Sequence, residues 1–281
     1  MPNYVLTLRC PDQSGIIHAI TGGIMDVHGN ILEQWQFTDE LTGSFSLRTR
    51  FESPLADVSQ VRLAIMDAIA QFDPILTLRP EEQLCRTLIM VSKYDHCLLD
   101  LLYRWENEEL AIEIPLIVSN HPDLAPIAER YGIPFVVLPI TKDNKAAQEA
   151  ELLRLIDENR IDLVVLARYM QILSDDFCER LPGRIINIHH SFLPGFKGAR
   201  PYHQAYERGV KLIGATAHFV TGDLDEGPII EQEVARVSHH HTPDDLAERG
   251  RDLERAVLSR AVHLFADDRV ILDGRRTVVF H

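Results

Sequence analysis

The sequence predicts an α/β protein of two domains: an N-terminal βαββαβ ferredoxin-like unit, then a mostly parallel, Rossmann-like sheet. Three observations carry this. The length of 281 residues exceeds what one domain usually holds, at roughly 100–200 residues per domain. The first 80 residues set two segments of helical period among four short alternating apolar runs. From Thr87 onward, strand-length apolar runs alternate with helical segments, the pattern of a parallel sheet covered on both faces.

Tyr4 to Arg9 alternates as a strand and runs into the turn cluster Cys10-Pro11-Asp12-Gln13-Ser14-Gly15. Ile16, Ile17, Ile20, Ile24 and Val27 keep helical spacing, and His28-Gly29-Asn30 is expected to stop that helix at its glycine. Ile31 to Phe37 and Ser44 to Phe51 form two strands joined at Asp39–Gly43, Val58 to Phe72 a second helix, and Ile75 to Leu78 a closing strand. The order is the split βαβ arrangement. Domains are therefore expected at 1–80 and 87–281, with the polar segment 81–86 as linker. In the second domain, strands are expected at Thr87–Val91, Ala111–Ser119, Phe135–Leu138, Leu163–Leu166 and Ile185–Ile188. Helices fall at Cys97–Asn107, Pro122–Tyr131 and Ala146–Asn159. Gly214–Val220 and Ile229–Val237 are further strands, Pro243–Ala266 a long helix, and the turn Asp273-Gly274 closes a hairpin.

The formal net charge is -14, with 28 Lys+Arg against 42 Asp+Glu, so bulk nucleic acid is disfavoured as a partner. Cys10, Cys85, Cys97 and Cys178 lie far apart with no CxxC pair, which fits a reducing compartment better than a disulfide framework or zinc site. The start MPNYVLTLRC does not read as a secretory signal, and no apolar run approaches the ~20 residues that span a bilayer. A cytoplasmic protein without a membrane partner is expected.

The chemistry concentrates between Asn187 and Gly227. Asn187-Ile188-His189-His190-Ser191 lies at the end of a predicted strand, and Thr221-Gly222-Asp223-Leu224-Asp225-Glu226-Gly227 is an acidic loop after another. A carboxamide at a strand end can donate to a carbonyl oxygen as it gains charge. A histidine two residues on faces the same side and can donate a second bond or deliver a proton. An aspartate from the second loop can orient that histidine or take a proton from attacking water. That is acyl-transfer chemistry without a covalent nucleophile; Ser191 lacks the GxSxG elbow. The alternative reading is equally physical: turn and cap residues beside a solvated acidic turn.

The run N-I-H, then Leu193-Pro194-Gly195-Phe196-Lys197-Gly198, then His218-Phe219-Val220 with a D-x-D-x-G loop, closely resembles the formyltransferase domain of the 10-formyltetrahydrofolate enzymes. The resemblance extends from Thr87 to the end of the chain and implies that Asn187, His189 and Asp225 are the catalytic residues, with His218 beside them. It implies a folate pocket formed by Arg168, Met170, Gln171, Ile172 and Leu173 on one side and Thr221, Gly222 and Asp223 on the other. Lys197 would steer the folate's glutamate tail or simply sit on the surface. Arg168 would fill space that a ribonucleotide takes in a transferase, or form an ordinary salt bridge.

Within that family three features single out the deformylases. Ser92-Lys93-Tyr94-Asp95-His96-Cys97-Leu98-Leu99-Asp100 resembles their S-K-x-x-H-C-L-x-D-L-L run, as does Asn120-His121-Pro122. No glycine occurs from Arg79 to Tyr131, so the glycine-rich phosphate cradle of the ribonucleotide-using members has no counterpart here. The N-terminal unit resembles an ACT domain, a regulatory module that pairs edge to edge and binds amino acids. Asp12, Gly15 and Asn30 are the implied effector contacts, Gly15 by allowing a close backbone approach, and a homo-oligomer is implied with them. The tRNA-using members carry an RNA-binding domain that this acidic chain is not expected to have.

The resemblance thus implies hydrolysis of 10-formyltetrahydrofolate to tetrahydrofolate and formate, balancing one-carbon pools for purine synthesis. The folate is substrate, and no cofactor is called for. The rivals are formyl transfer to an amine by the same site, and an idle folate or amino-acid sensor. His239-His240-His241 is expected to be a solvated loop rather than a metal site, because adjacent side chains in extended chain face opposite ways. Trp35 and Trp105 are expected to be packing residues.

Overall fold

Residues 1–193 and 201–281 are described by a computed structural model, and by contacts they divide into Met1–Leu84 with Asp267–His281, and Cys85–Ala266. The first unit runs β1 (Asn3–Pro11), α1 (Ile16–Asp26), β2 (Asn30–Asp39), β3 (Ser44–Glu52), α2 (Val58–Ile69) and β4 (Ile75–Pro80). Its antiparallel sheet has the order β2-β3-β1-β4. Asp57 caps α2 by accepting from the Ser59 N–H at 2.9 Å. Leu6, Leu8 and Phe51 from the sheet meet Ile20, Ile24, Ile65 and Ile69 from the helices in a buried core.

Two glycines here exchange the roles the sequence suggests. Gly15 precedes α1 with φ 99°, and an added Cβ would meet only the Phe72 ring at 3.8 Å. Its need is conformational rather than one of close approach. At the other end of α1 it is His28, with φ 53°, that takes the left-handed position. His28 N–H donates to the Met25 carbonyl and Gly29 N–H to the Ile24 carbonyl, each at 2.8 Å, which is a Schellman end. Gly29 is required because a Cβ would lie 2.6 Å from Ile24 Cγ2 and 2.8 Å from the Ile24 carbonyl oxygen.

The second unit contains β5 (Cys85–Val91), α3 (His96–Glu106), β6 (Ile112–Glu113), β7 (Ile117–Ser119), α4 (Ala125–Arg130), β8 (Phe135–Val137), α5 (Lys145–Glu158) and β9 (Leu163–Leu166). It continues with α6 (Asp175–Arg180), β10 (Ile185–His189), α7 (Pro201–Glu207), β11 (Leu212–Phe219), β12 (Ile229–Arg236) and α8 (Pro243–Ala266). The main sheet runs β12-β11-β10-β9-β5-β7-β8, with β6 beside β5. It is parallel from β10 to β8, and antiparallel at β11 and β12. Among the described residues, no helix is long and apolar enough to cross a membrane.

Three expectations are corrected. The strand expected over Ala111–Ser119 is two strands, because Pro115 has no N–H to give a ladder. The linker is shorter than 81–86, since Cys85 and Arg86 already pair with Ile112 and Glu113. Finally, the closing hairpin, β13 (Val270–Asp273) and β14 (Arg276–Val279), joins the first unit rather than the second. Arg9 reaches Asp273 at 3.1 Å, Arg79 reaches Asp268 at 2.5 Å, and Arg48 Nε donates to the Asp267 carbonyl at 2.9 Å. Trp35 packs on Phe280 with ring centroids 6.5 Å apart. These long-range ion pairs leave no trace in local periodicity. Helix α6, also unforeseen, starts at Ser174, whose hydroxyl accepts from the Phe177 N–H at 3.2 Å.

The α1 terminus yields a paired prediction. Gly29→Ala lowers stability by about 1–3 kcal/mol through overpacking against backbone, whereas His28→Gly is neutral or stabilising, by up to ~1 kcal/mol, through relief of left-handed strain. Urea-unfolding midpoints of the two variants check both signs.

Candidate functional site

A parallel sheet binds ligands beyond the carboxyl ends of its strands, where successive strands lead off to opposite sides. Here that point lies between β5 and β9, and a cleft of about 570 Å³ opens beside it. Asn187 sits on β10 between Leu166 of β9 and His218 of β11. His189, two residues on along β10, and His218 are both buried.

The acidic loop is folded over these groups by backbone constraints. The ladder shifts register between Ala217 and His218, and Phe219 N–H donates to the Pro228 carbonyl at 2.8 Å to close the loop. A Cβ on Gly227 would lie 1.8 Å from the Phe219 carbonyl oxygen, so only glycine passes there. Asp225 adopts φ 56°, uncommon for a residue with a side chain. The result places Asp225 Oδ1 at 3.3 Å from His189 Nδ1 and 3.7 Å from His218 Nε2.

His218 Nδ1–H donates to the Phe219 carbonyl at 2.8 Å, leaving Nε2 of the neutral ring to accept from Asn187 Nδ2 at 3.2 Å. That bond fixes the Asn187 carboxamide. Burial alone would raise the Asp225 pKa; its contacts with the two facing imidazoles, His189 first, outweigh that and hold the carboxyl well below the ordinary range. His189 Nε2 is buried without a hydrogen-bond partner among the described residues. A buried unpaired ring nitrogen costs free energy unless a ligand completes it.

Met170, Gln171, Ile172 and Leu173 line one wall of the cleft, with Met170 and Ile172 exposed toward it, and Thr221, Gly222 and Asp223 also face the cavity. Two polar anchors hold the first wall. Ser92 Oγ accepts from the Met170 N–H at 2.9 Å while donating to Asn120 Oδ1 at 2.6 Å. At the far end, buried Glu149 accepts from the Ser174 N–H at 2.9 Å and its hydroxyl at 2.5 Å.

Arg168, with φ 65°, leaves this wall for the other end of the cleft. Its guanidinium lies 5.1 Å from the centroid of the Tyr94 ring, and its Nε is 3.4 Å from Glu254 Oε2. Glu254, on α8, also accepts from Tyr202 Oη at 2.8 Å and meets His96 Nε2 at 2.8 Å. Sequence reasoning assigned no role to Tyr94, His96, His190, Tyr202 or Glu254. The available signal was a glutamate on the buried stripe of an amphipathic helix. His96, Cys97 and Glu254 bring ligand atoms within 4.8 Å of one another, but a cation there would confront the Arg168 guanidinium on the same carboxylate.

Among the described residues, the other candidates are not part of the cleft lining. Lys197 lies outside the described residues. His239 and His240 are exposed, their rings 4.0 Å apart, and His241 engages Ser238. Asp12 and Gly15 lie in the turn before α1, and Asn30 opens β2 with its amide on Glu52 at 3.1 Å.

His190 stacks on His189 at 5.2 Å, and its pKa is pushed down to about 4, first by burial and then by the charge of Arg168. The unfolded chain therefore binds the proton more readily than the folded one. Stability contributed above the ordinary histidine value of ~6.5 is lost as pH falls toward the folded value. Melting temperatures at pH 7 and pH 5 are expected to differ less for His190→Asn than for the wild-type chain; an equal drop contradicts this.

The formyl transferase family matches residues 85–262. A formyltetrahydrofolate deformylase of Synechocystis sp. is 52% identical over 100% of both chains. The crystal structure of formyltetrahydrofolate deformylase from Burkholderia mallei superposes with a TM-score of 0.96 at 49% identity, covering 100% of each chain. Glycinamide ribonucleotide transformylase 1 from Symbiobacterium toebii is more distant, with a TM-score of 0.67 and 30% identity over 73% of this chain and 98% of its own. A chain that shares its whole length with such relatives, and whose second unit carries the family match, belongs to the formyl transferase family, among its formyltetrahydrofolate deformylases.

Proposed function

We propose that the chain hydrolyses 10-formyltetrahydrofolate to tetrahydrofolate and formate in the cleft around Asn187, His189 and Asp225. One observation carries the reading: a carboxylate from one loop meets the imidazole of His189 at 3.3 Å, beside an oriented carboxamide, at the mouth of a parallel sheet. Met170, Ile172 and Leu173 supply apolar surface and Gln171 a polar edge on the wall assigned to the pterin, with Thr221, Gly222 and Asp223 also lining the cleft. Lys197 is assigned to the glutamate tail on the strength of the resemblance alone.

Asp225 acts as general base. It takes a proton as the water oxygen attacks the formyl carbon, and its low pKa keeps it ionised at neutral pH. His189, held at Nδ1 by Asp225, donates from Nε2 to the developing oxyanion, and Asn187 donates the second bond. The tetrahedral intermediate collapses by breaking the C–N10 bond; N10 takes up the proton, and formate leaves. All three groups act within the protein, so the water need only be positioned.

The first unit is proposed to be an ACT-type regulatory module of a homo-oligomer, binding an amino acid near Asp12, Gly15 and Asn30. Its βαββαβ order and β2-β3-β1-β4 sheet support this. Methionine and glycine are the first effectors to try. The free cysteines fit a reducing cytoplasm, and formate release would balance one-carbon supply for purine synthesis.

Incubation with 10-formyltetrahydrofolate and no amine is expected to release stoichiometric formate over many turnovers; strict dependence on an added amine would make the chain a transferase. Asn187→Ala is expected to lower kcat by about 10²–10³, and Asp225→Asn to cost at least ~10². Each is to be measured alongside circular dichroism, so that loss of fold is separated from loss of chemistry. A fully active, folded Asn187→Ala would overturn the oxyanion assignment.

A further inference from the structure

The cleft is asymmetric in a way that the hydrolytic chemistry does not by itself require. Beyond His189, the ring of His190 leads to Tyr202, with centroids 5.2 Å and then 6.3 Å apart. Tyr202 donates to Glu254, Glu254 pairs with His96 and Arg168, and Arg168 lies over Tyr94. Arg168 has a side chain 10% exposed and Glu254 one 1% exposed. Such a cluster has desolvated its charges, and a well-packed apolar group would stabilise the fold as well. Its presence at the reacting end of the cleft therefore calls for a role other than stability.

A second feature shows that the cluster is built for. Gly250 lies on the buried face of α8, one turn before Glu254, where glycine costs ~1 kcal/mol relative to alanine. A Cβ at that position would lie 1.9 Å from Tyr202 Oη and 2.2 Å from its Cζ. The missing side chain is what lets the Tyr202 phenol reach Glu254. The same α/β domain in the Symbiobacterium structure belongs to a protein named as a transformylase, so the fold alone does not restrict the nucleophile to water.

We propose that Tyr94, Arg168, Tyr202 and Glu254, seated by Gly250, form a plug that closes the nucleophile side of the cleft to anything larger than water. Gly250 is a positioning residue acting through Tyr202. With the plug displaced, an amine nitrogen adds to the formyl carbon in place of water and gives its proton to Asp225. The C–N10 bond breaks, N10 is protonated, and the formyl group leaves as a formamide. The inference rests on the hydrolase reading.

The test uses the full chain, 10-formyltetrahydrofolate and glycinamide as acceptor probe, with N-formylglycinamide and formate both quantified above the enzyme-free rate. The wild type is expected to give formate alone, unaffected by glycinamide. Gly250→Ala, and the charge-balanced double variant Arg168→Ala with Glu254→Gln, are expected to raise the ratio of N-formylglycinamide to formate by ~10-fold or more, the scale on which pocket sterics discriminate. Variants that release formate with an unchanged ratio overturn the plug. For a variant without turnover, saturation-transfer NMR with tetrahydrofolate present decides: glycinamide binding gained over wild type supports the proposal, and equal signals defeat it. A wild-type chain that releases no formate without an amine defeats the hydrolase reading instead.

Discussion

The Asp225 carboxylate is the constraint on which the site depends. It bridges two imidazoles on adjacent strands, and each imidazole fixes something further: His218 orients the Asn187 amide, and His189 is left with one ring nitrogen unpartnered. A half-buried carboxylate would ordinarily favour its neutral form. Here contact with the two imidazoles reverses that preference, so the ionised carboxylate and the groups around it are stabilised together. None of this exists without the backbone path that delivers Asp225: a ladder irregularity at His218, a left-handed residue at Asp225 and a glycine pressed on the Phe219 carbonyl.

The walls follow the same logic of local flexibility held by buried polar contacts. The segment after β9 has no regular structure until α6, yet Ser92 grips its backbone at Met170 and Glu149 grips it at Ser174. Both are buried, and each makes two hydrogen bonds across the cleft wall, which makes such contacts specific rather than merely cohesive. Exposed apolar side chains such as Met170 and Ile172 can then be displayed toward the cavity without collapsing into it.

Much of the fold was legible because it is written in local period. The alternation of strands and helices in the second unit, and the βαββαβ order of the first, follow directly from apolar spacing. The candidate trio was named from residue type together with the family resemblance, and the structure brings Asn187, His189 and Asp225 together, with His218 beside them. Most of what escaped had little local signature. The split at Pro115 was visible but unused. The hairpin's attachment to the first unit depends on ion pairs such as Arg79 with Asp268, which join distant positions. The Glu254 cluster draws on α3, α7, α8 and the turn after β9, and only Glu254 and Gly250 hint at it, as a charge and a gap on an otherwise apolar stripe of α8. Gly15 and Gly29 show a subtler limit: both were recognised as special, but which one served torsion and which one served space depended on coordinates.

The attachment of Asp267–His281 to Met1–Leu84 also bears on how the chain is made. During synthesis the N-terminal sheet emerges well before the partners of Arg9, Arg48 and Arg79 in Asp267–Asp273. Domains generally fold as units in the order they appear. The contacts of Arg9 with Asp273 and of Arg79 with Asp268 form only after the intervening α/β unit has been translated, whereas Arg48 also has Glu33 of its own sheet at 2.7 Å. The first unit is thereby sealed by a segment that lies on the far side of the second unit in sequence.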